Sequence, residues 1–371
     1  MSPAELVAGS FWRALRPALL CACSCGLLPV SGWGSAWRPS WVAAARSGLL
    51  SALLLALCVS CFVRYPESVF RFSTALEVFT TLRFLLSPLR WGGMVLWVWS
   101  HARKMGIFFE ACANYENSFG TVVLPSTTRY VRFYAISILL VTAFYIYHML
   151  TYFGSHPVWL QVALITGMCG MTGGGYAWLA ILDGMCLSLA DAFHEVNQRL
   201  PRALRKDNVP QLRRLTRQHG CLSQLAGMLC ATFGSLLTIW VYTMVLDLSL
   251  SIYTNARSGS ERAGDVGSLV RAYMERLLSL LPVVLLKLTT NAGHRVRRES
   301  ARASELLQGH LLAGSQTADR LLYTELLDTL HRQQVHMSMD GYFTLDREFF
   351  IQSMKDVMTL VIALAQFDMA A

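Results

Sequence analysis

Seven apolar stretches constrain the fold of this chain more than any other feature. A helix needs roughly 20 apolar residues to cross a bilayer core of about 30 Å. Hydropathy predicts spans at these residues: 40–63, 72–99, 133–153, 158–182, 222–250, 269–290 and 349–367. The last span is the weakest, because Lys355 and Asp356 lie within it. We therefore predict an all-α membrane protein with seven transmembrane helices.

Composition agrees with this prediction. Of the 371 residues, 15% are charged and 54% are apolar, whereas soluble proteins carry about 25% charged residues. The mean hydropathy is +0.41. These values exclude a disordered chain, a collagen and a disulfide-rich secreted domain. The net charge is +9. In a membrane protein, the positions of the positive residues along the chain report its orientation in the bilayer. We therefore expect no nucleic-acid partner.

The distribution of positive residues predicts the orientation. With the N-terminus inside, 21 Lys and Arg residues fall in inner segments and 4 fall in outer segments. Positive residues favour the cytoplasmic side, so we predict a cytosolic N-terminus and an extracellular C-terminus. A G-protein-coupled receptor has the opposite orientation. Its Asp-Arg-Tyr and Asn-Pro-x-x-Tyr motifs are also missing from the third and seventh predicted spans.

The N-terminal apolar segment 15–30 needs a separate interpretation. It follows two arginines and has the apolar character of a signal peptide. However, Pro17 and Pro29 bracket it, three cysteines interrupt it, and no clear cleavage site follows. We interpret it as a cytosolic or membrane-skimming segment.

The inner segments have the spacing of amphipathic helices. Beyond the fourth span, apolar residues keep one face: Phe193, Val196, Leu200 and Leu204. Charged residues are predicted to face away: Asp191, Glu195, Arg199 and Arg202. The pattern continues at Leu212, Leu215 and Leu222, and again at Tyr323, Leu327 and Leu330 after a candidate cap at Ser315. We predict that these helices pack into a cytosolic anchor, the alternative being loops on anionic lipid.

Enzyme chemistry has little support. His194-Glu195 begins like a zinc protease motif, but position 198 is Gln. Cys21, Cys23 and Cys25 lack a second ligand group at zinc-finger spacing. The glycines of segment 170–175 are not followed by the Lys of a P-loop. We expect no catalytic residue, no metal and no cofactor.

Polar and aromatic residues inside the spans suggest a small-molecule pocket, because such groups are costly in lipid unless they are paired or wet. The ligand-binding candidates are Glu77, Thr80, Tyr145, His148, Trp159, Trp240, Tyr242 and Asp247. Arg83 and Arg276 are candidate counter-charges for the two carboxylates. Each residue taken singly also fits an interfacial anchor or a core hydrogen bond.

One face of the seventh span is polar. Thr359 and Gln366 are seven residues apart and share a helix face, with Ile362 and Ala363 between them and Lys355 one turn earlier. We expect a polar face of this kind to contact water or a partner and not lipid. One helix cannot enclose a pore, but symmetric copies around an axis can.

The C-terminal segment resembles the insect gustatory receptor family. That family ends with Thr-Tyr, five hydrophobic residues and Gln-Phe. Here Thr359, segment 361–365, Gln366 and Phe367 match, and Leu360 replaces the Tyr. Three further segments resemble the family: 341–346 before the last helix, and 15–17 and 26–29 near the N-terminus.

The resemblance implies a gustatory receptor in the plasma membrane of chemosensory neurons. Such a receptor is a tetramer of identical or related subunits and acts as a ligand-gated, non-selective cation channel opened by a small-molecule tastant. Its pore and gate residues here would be Lys355, Thr359, Ile362, Ala363, Gln366 and Phe367. The last helix would break near 350–354. Sugar-sensing members carry Glu where this chain has Val361, which favours a bitter-type ligand.

The predicted organisation is a cytosolic segment (1–39), six membrane helices with the pocket candidates (40–292), cytosolic anchor helices (293–348) and a pore-lining seventh helix (349–371). Two other function classes stay open. A seven-span receptor signalling through a cytosolic partner would explain the inner helices but not the polar face of the last span. A small-molecule transporter would be expected to show internal repeats or broken helices in paired positions.

Overall fold

The computed structural model describes residues 10–24, 30–31, 38–39, 45, 48–49, 52, 56, 75–120, 125–152, 158–258, 266–312, 320–339 and 341–370. Within them lie eight helices: α1 (Ser10–Ser24), α2 (Ala75–Phe119), α3 (Pro125–Tyr152), α4 (Val158–Arg205), α5 (Val209–Ser258), α6 (Val266–Leu312), α7 (Arg320–Arg332) and α8 (Arg347–Ala370). Two short antiparallel strand pairs accompany them: β1 (Val30–Ser31) with β2 (Arg38–Pro39), and β3 (Ser338–Met339) with β4 (Phe343–Thr344). The predicted first span, 40–63, lies almost entirely outside the described residues.

Four helices are far longer than a membrane crossing requires. α2, α4, α5 and α6 contain 45, 48, 50 and 47 residues. At 1.5 Å per residue each extends about 68–75 Å, more than twice a bilayer core of about 30 Å. By length and apolar composition, two described stretches are able to cross a membrane, Gly173–Arg205 and Val209–Ala256.

Helix α4 forms the centre of the bundle. It packs against α1, α3, α5 and α6, and every residue from 177 to 193 is buried. The predicted apolar face beyond the fourth span is confirmed, since Phe193, Val196, Leu200 and Leu204 are all buried. The prediction for Asp191 is wrong. It is 7% exposed and pairs with Arg295 across 2.8 Å, because α6 packs along that side of α4.

The N-terminal segment contributes a helix to the core. On α1, Phe11, Leu15 and Leu19 are buried against α3 and α4. The backbone N–H of Phe11 donates to a carboxylate oxygen of Glu116 on α2 across 3.2 Å. The Leu15 side chain lies directly over Gly184 of α4, where a Cβ atom would have no room.

The predicted packing of α7 is confirmed. Its buried residues Tyr323, Leu326 and Leu330 face α5 and α6, and the Tyr323 hydroxyl donates to Asp207 Oδ1 across 2.8 Å. The predicted contact residue Leu327 is half-buried beside them. The candidate cap Ser315 lies outside the described residues.

The prediction of a break near 350–354 is wrong. Helix α8 runs without interruption from Arg347, two residues before the predicted start. The interruption lies earlier, at the β3–β4 hairpin, where Gly341 has a φ of +78°. A left-handed backbone favours glycine. The short strands β3 and β4 therefore separate α7 from α8. The apolar residues Phe349 and Phe350 belong to the first turn of α8.

Candidate functional site

Helix α8 has two unlike faces. Ser353, Val357 and Leu364 are buried. On that side the Ser249 hydroxyl of α5 donates to the Val357 carbonyl across 3.4 Å, and Leu364 packs with Leu250 and Tyr253. The opposite side has no covering element within the described part of the chain.

The predicted pore residues lie on the uncovered side of α8. Lys355, Thr359, Ile362 and Gln366 are exposed, and Ala363 is half-buried. The spacing of 4, 3 and 4 residues places an ammonium group, a hydroxyl group, an alkyl group and an amide in one row about 16 Å long. The Phe367 side chain lies outside the described residues.

Local hydrogen bonds order this row. The Thr359 hydroxyl donates to the Lys355 carbonyl across 2.9 Å, and the Gln352 amide donates to Asp356 Oδ1 across 2.9 Å. Lys355 and Asp356 are both exposed, and no ion pair joins them within the described part of the chain. The row therefore presents one positive charge at its Lys355 end, beside a carboxylate that is held by an amide.

Asp346 fixes the first turn of α8. Its Oδ1 accepts from the backbone N–H of Phe349 across 3.0 Å, which is a helix N-cap. Its Oδ2 accepts from the Thr344 hydroxyl across 3.2 Å and from Arg297 of α6 across 3.3 Å. The start of α8 is thus tied to α6 through one carboxylate.

Two further contacts join α6 to the start of α8. A Cβ atom on Gly293 would come within 2.6 Å of the Leu345 carbonyl oxygen, so the absence of a side chain there allows the two backbones to approach. Six residues earlier in α6, the Lys287 ammonium lies 4.5 Å from the centre of the Phe350 ring, a cation–π distance.

The structure separates the two aromatic ligand candidates on α5. Trp240 is 4% exposed and lines a small cavity of about 20 Å³ with Met94, Trp178 and Phe233. Tyr242 is 65% exposed and lies on another side of the helix. Asp247, one turn further along, is half-buried. The cavity is mostly apolar, and its volume is far below the roughly 300 Å³ at which small-molecule sites begin.

The other ligand candidates have described backbones only. Glu77 and Thr80 lie on α2, Tyr145 and His148 on α3, and Trp159 on α4. Their side chains lie outside the described residues, as do those of Arg83 and Arg276. Whether these groups converge on one pocket therefore stays a prediction.

A buried carboxylate at the junction of α3, α4 and α6 was missed by sequence reasoning. The Tyr134 hydroxyl donates to Asp183 Oδ2 across 2.6 Å, and the Thr289 hydroxyl lies 3.1 Å from the same oxygen. Asp183 is fully buried, and its Oδ1 has no hydrogen-bond partner among the described residues. A sequence signal existed, because Asp183 is the one acidic residue in the otherwise uncharged run 158–190.

Comparisons with known proteins show a family and a fold. A family model described as "7tm Chemosensory receptor" matches residues 15–371. The structure of the insect olfactory receptor OR5 from Machilis hrabei superposes with a TM-score of 0.68 and 14% identity, covering 96% of this chain and 98% of that chain. The structure of the same receptor in complex with eugenol superposes with a TM-score of 0.63 and 12% identity, with the same coverage of both chains. At these identities the likeness shows the fold. No curated protein matches the sequence.

Proposed function

Because the chain belongs to the 7tm chemosensory receptor family, and is therefore a membrane protein and not an enzyme, we propose that it is a gustatory receptor that acts as a ligand-gated, non-selective cation channel. Four identical or related copies surround one pore, each contributing α8. The N-terminus is cytosolic, seven helices cross the plasma membrane of a chemosensory neuron, and the C-terminus is extracellular. A small-molecule tastant opens the pore.

One observation carries this proposal, namely the uncovered polar row on α8. Thr359 and Gln366 are exposed in the single chain, while the opposite side of the helix packs on α5. The Thr359 hydroxyl is satisfied within the helix, but the Lys355 ammonium and the Gln366 amide gain nothing from contact with lipid tails, because their hydrogen-bonding capacity would be left unsatisfied. Copies of α8 around an axis give this row water and ions as neighbours.

The outer surface of the bundle supports a bilayer environment. On α3, exposed apolar side chains recur at Phe133, Ile136, Leu140 and Tyr147, which is helical spacing along one face. Soluble monomers rarely expose a contiguous apolar stripe of this kind. Lipid tails satisfy it without a further partner.

Ligand control of the pore follows from the position of α6. Its middle section joins the Asp183 cluster through Thr289, and its cytosolic section joins the cap of α8 through Arg297. We propose that a ligand among α2–α6 shifts α6 and thereby the first turn of α8. The relative solved with eugenol supports a small-molecule ligand, and Val361 favours a bitter-type tastant over a sugar.

The decisive test uses purified chain in a planar bilayer, perfused with bitter compounds and sugars. Ligand-evoked cation current without cytosol is the expected result. A chain that binds a tastant but passes no current in the bilayer, yet evokes responses in whole cells, acts through a cytosolic partner. Coupled substrate uptake without channel current identifies a transporter.

The topology has its own test. An epitope tag at the C-terminus is expected to be accessible to antibody on intact cells, and a tag at the N-terminus only after permeabilisation. The reverse pattern, or both tags on one side, contradicts the seven-span orientation.

A further inference from the structure

We propose that the groove between the ends of α2, α4 and α5 is a binding site for a soluble polyphosphate anion. This surface, called here the arginine groove, consists of two adjoining cavities of about 720 and 410 Å³. Phe119, Pro210 and Arg214 line both. Arg213 and Arg217 line the larger cavity and Arg199 the smaller one.

Among the described residues, three of the four guanidinium groups have no protein partner. Arg213, Arg214 and Arg217 are exposed, and none makes a hydrogen bond or ion pair within the described ranges. They occupy positions i, i+1 and i+4 of α5, so they share one side of the helix. Like charges at this spacing repel. A bound anion removes this unfavourable contribution.

Nearby carboxylates offset only part of the positive charge of the groove. Glu195 pairs with Arg199, Asp207 accepts from the Tyr323 hydroxyl, and Glu116 accepts from a backbone N–H of α1. Neither cavity has a carboxylate among its lining residues. The three arginines of α5 therefore keep the groove positive.

The floor of the groove is polar but neutral. The Gln218 amide donates to the Tyr115 hydroxyl across 2.8 Å. Burial raises the pKa of the Tyr115 phenol, outweighing that hydrogen bond, so the phenol carries no negative charge. Gln218 lines the smaller cavity beside Arg199 and Arg214.

The guanidinium groups, and not the helix terminus, define the site. The first N–H groups of α5 are already used: Val209 donates to Asp207 O across 3.0 Å, and Gln211 donates to Asn208 Oδ1 across 3.1 Å. Pro210 has no N–H. Planar guanidinium forks match phosphate oxygens in pairs. Three of them on one wall of a cavity this size suit a ligand with several phosphates.

The position of the groove favours a soluble ligand over a lipid headgroup. The predicted second span ends near Trp99, and Phe119 follows 20 residues later in the same continuous helix, a distance of about 30 Å. Headgroups occupy only about 5–8 Å beyond the hydrocarbon core. The cytosolic location rests on the proposed topology, whereas binding to the groove does not.

The test measures binding to the purified full-length chain in lipid nanodiscs, so it requires no channel current. The free probes are inositol hexakisphosphate and ATP, and the membrane probe is a phosphoinositide within the nanodisc bilayer. The variant carries Arg213→Gln, Arg214→Gln and Arg217→Gln. The control carries Arg129→Gln, Arg132→Gln and Arg332→Gln, which removes the same charge from three exposed arginines elsewhere.

Wild type and control are expected to bind at least one free probe. The groove variant is expected to bind it more weakly by about tenfold or more, since each exposed charge pair contributes modestly and three are lost. Equal loss in the control, binding only to the membrane-embedded probe, or no binding to any probe overturns the proposal. Each of these results leaves the channel proposal untouched, because no current is measured.

Discussion

Arg297 on α6 and Asp346 at the start of α8 form an ion pair, with 3.3 Å between Arg297 Nη1 and Asp346 Oδ2. The other oxygen of the same carboxylate caps α8. A movement of α6 near Arg297 is therefore expected to be passed directly to the first turn of α8. In the proposed channel this is the shortest connection between the ligand-bearing helices and the pore.

The cap, and not the ion pair, is expected to dominate the stability of this junction. Asp346→Ala should cost about 1–2 kcal/mol of unfolding free energy, because it removes an N-cap. Asp346→Asn keeps a capping oxygen, and the ion pair it loses is worth about 0–1 kcal/mol, since the Arg297 side chain is 49% exposed. Thermal unfolding of purified protein measures both. An Asn variant as unstable as the Ala variant would assign the stability to the ion pair.

Gly293 provides a matched pair of substitutions with Gly309 on the same helix. A Cβ at Gly293 meets the Leu345 carbonyl at 2.6 Å, whereas a Cβ at Gly309 meets nothing within 4 Å. Gly293→Ala should cost about 1–3 kcal/mol through overpacking. Gly309→Ala should be neutral or stabilising by up to about 1 kcal/mol through helix propensity. Similar melting temperatures for the two variants would show that α6 and the Leu345 segment do not pack this closely.

The Asp183 cluster is expected to couple α3 to α4. Tyr134→Phe should cost about 1–3 kcal/mol, because it deprives a buried carboxylate of a donor. In the double variant that also carries Asp183→Asn, the loss of unfolding free energy should be smaller than the sum of the two single losses by at least about 0.5 kcal/mol. Tyr130→Phe is the control, since the Tyr130 hydroxyl is buried with no hydrogen-bond partner among the described residues. If Tyr130→Phe destabilises the protein as much as Tyr134→Phe, the hydrogen bond to Asp183 adds nothing to the free energy of unfolding.

Lys355 is expected to limit cation flow at the inner end of the pore. Removing its charge with Lys355→Ala should raise unitary conductance by up to about fivefold, because a unit charge at about 4 Å contributes about 1 kcal/mol in water. Lys355→Arg should behave like wild type, and Asp356→Asn should lower conductance. Single-channel recording distinguishes these outcomes. Unchanged conductance and ion selectivity in Lys355→Ala would remove Lys355 from the ion pathway.

Much of the helical architecture was predictable because apolar periodicity reflects burial directly. The spacing of Phe193, Val196, Leu200 and Leu204 identified the buried face of α4 beyond its predicted span. The same spacing said nothing about Asp191, which is buried because α6 supplies Arg295 from about 100 residues away. A pairing between distant helices leaves no local pattern in a sequence.

The start of α8 shows a second limit. Hydropathy placed it at Phe349, whereas the N-cap at Asp346 places it at Arg347. The expected break at 350–354 came from a family resemblance, and the hairpin turn at Gly341 supplies the interruption instead. Asp183 was missed because it follows the predicted end of the fourth span by one residue, where an acid looks like an interfacial group.

The most direct measurement is single-channel recording of the purified chain in a planar bilayer, comparing Gln366→Ala with Gln308→Ala. Both glutamines are exposed, but only Gln366 lies on the polar row of α8. We expect Gln366→Ala to change unitary conductance or the ratio of Na⁺ to K⁺ permeability, and Gln308→Ala to leave both unchanged. Ligand-evoked currents identical in wild type and both variants would contradict a pore lined by the exposed face of α8.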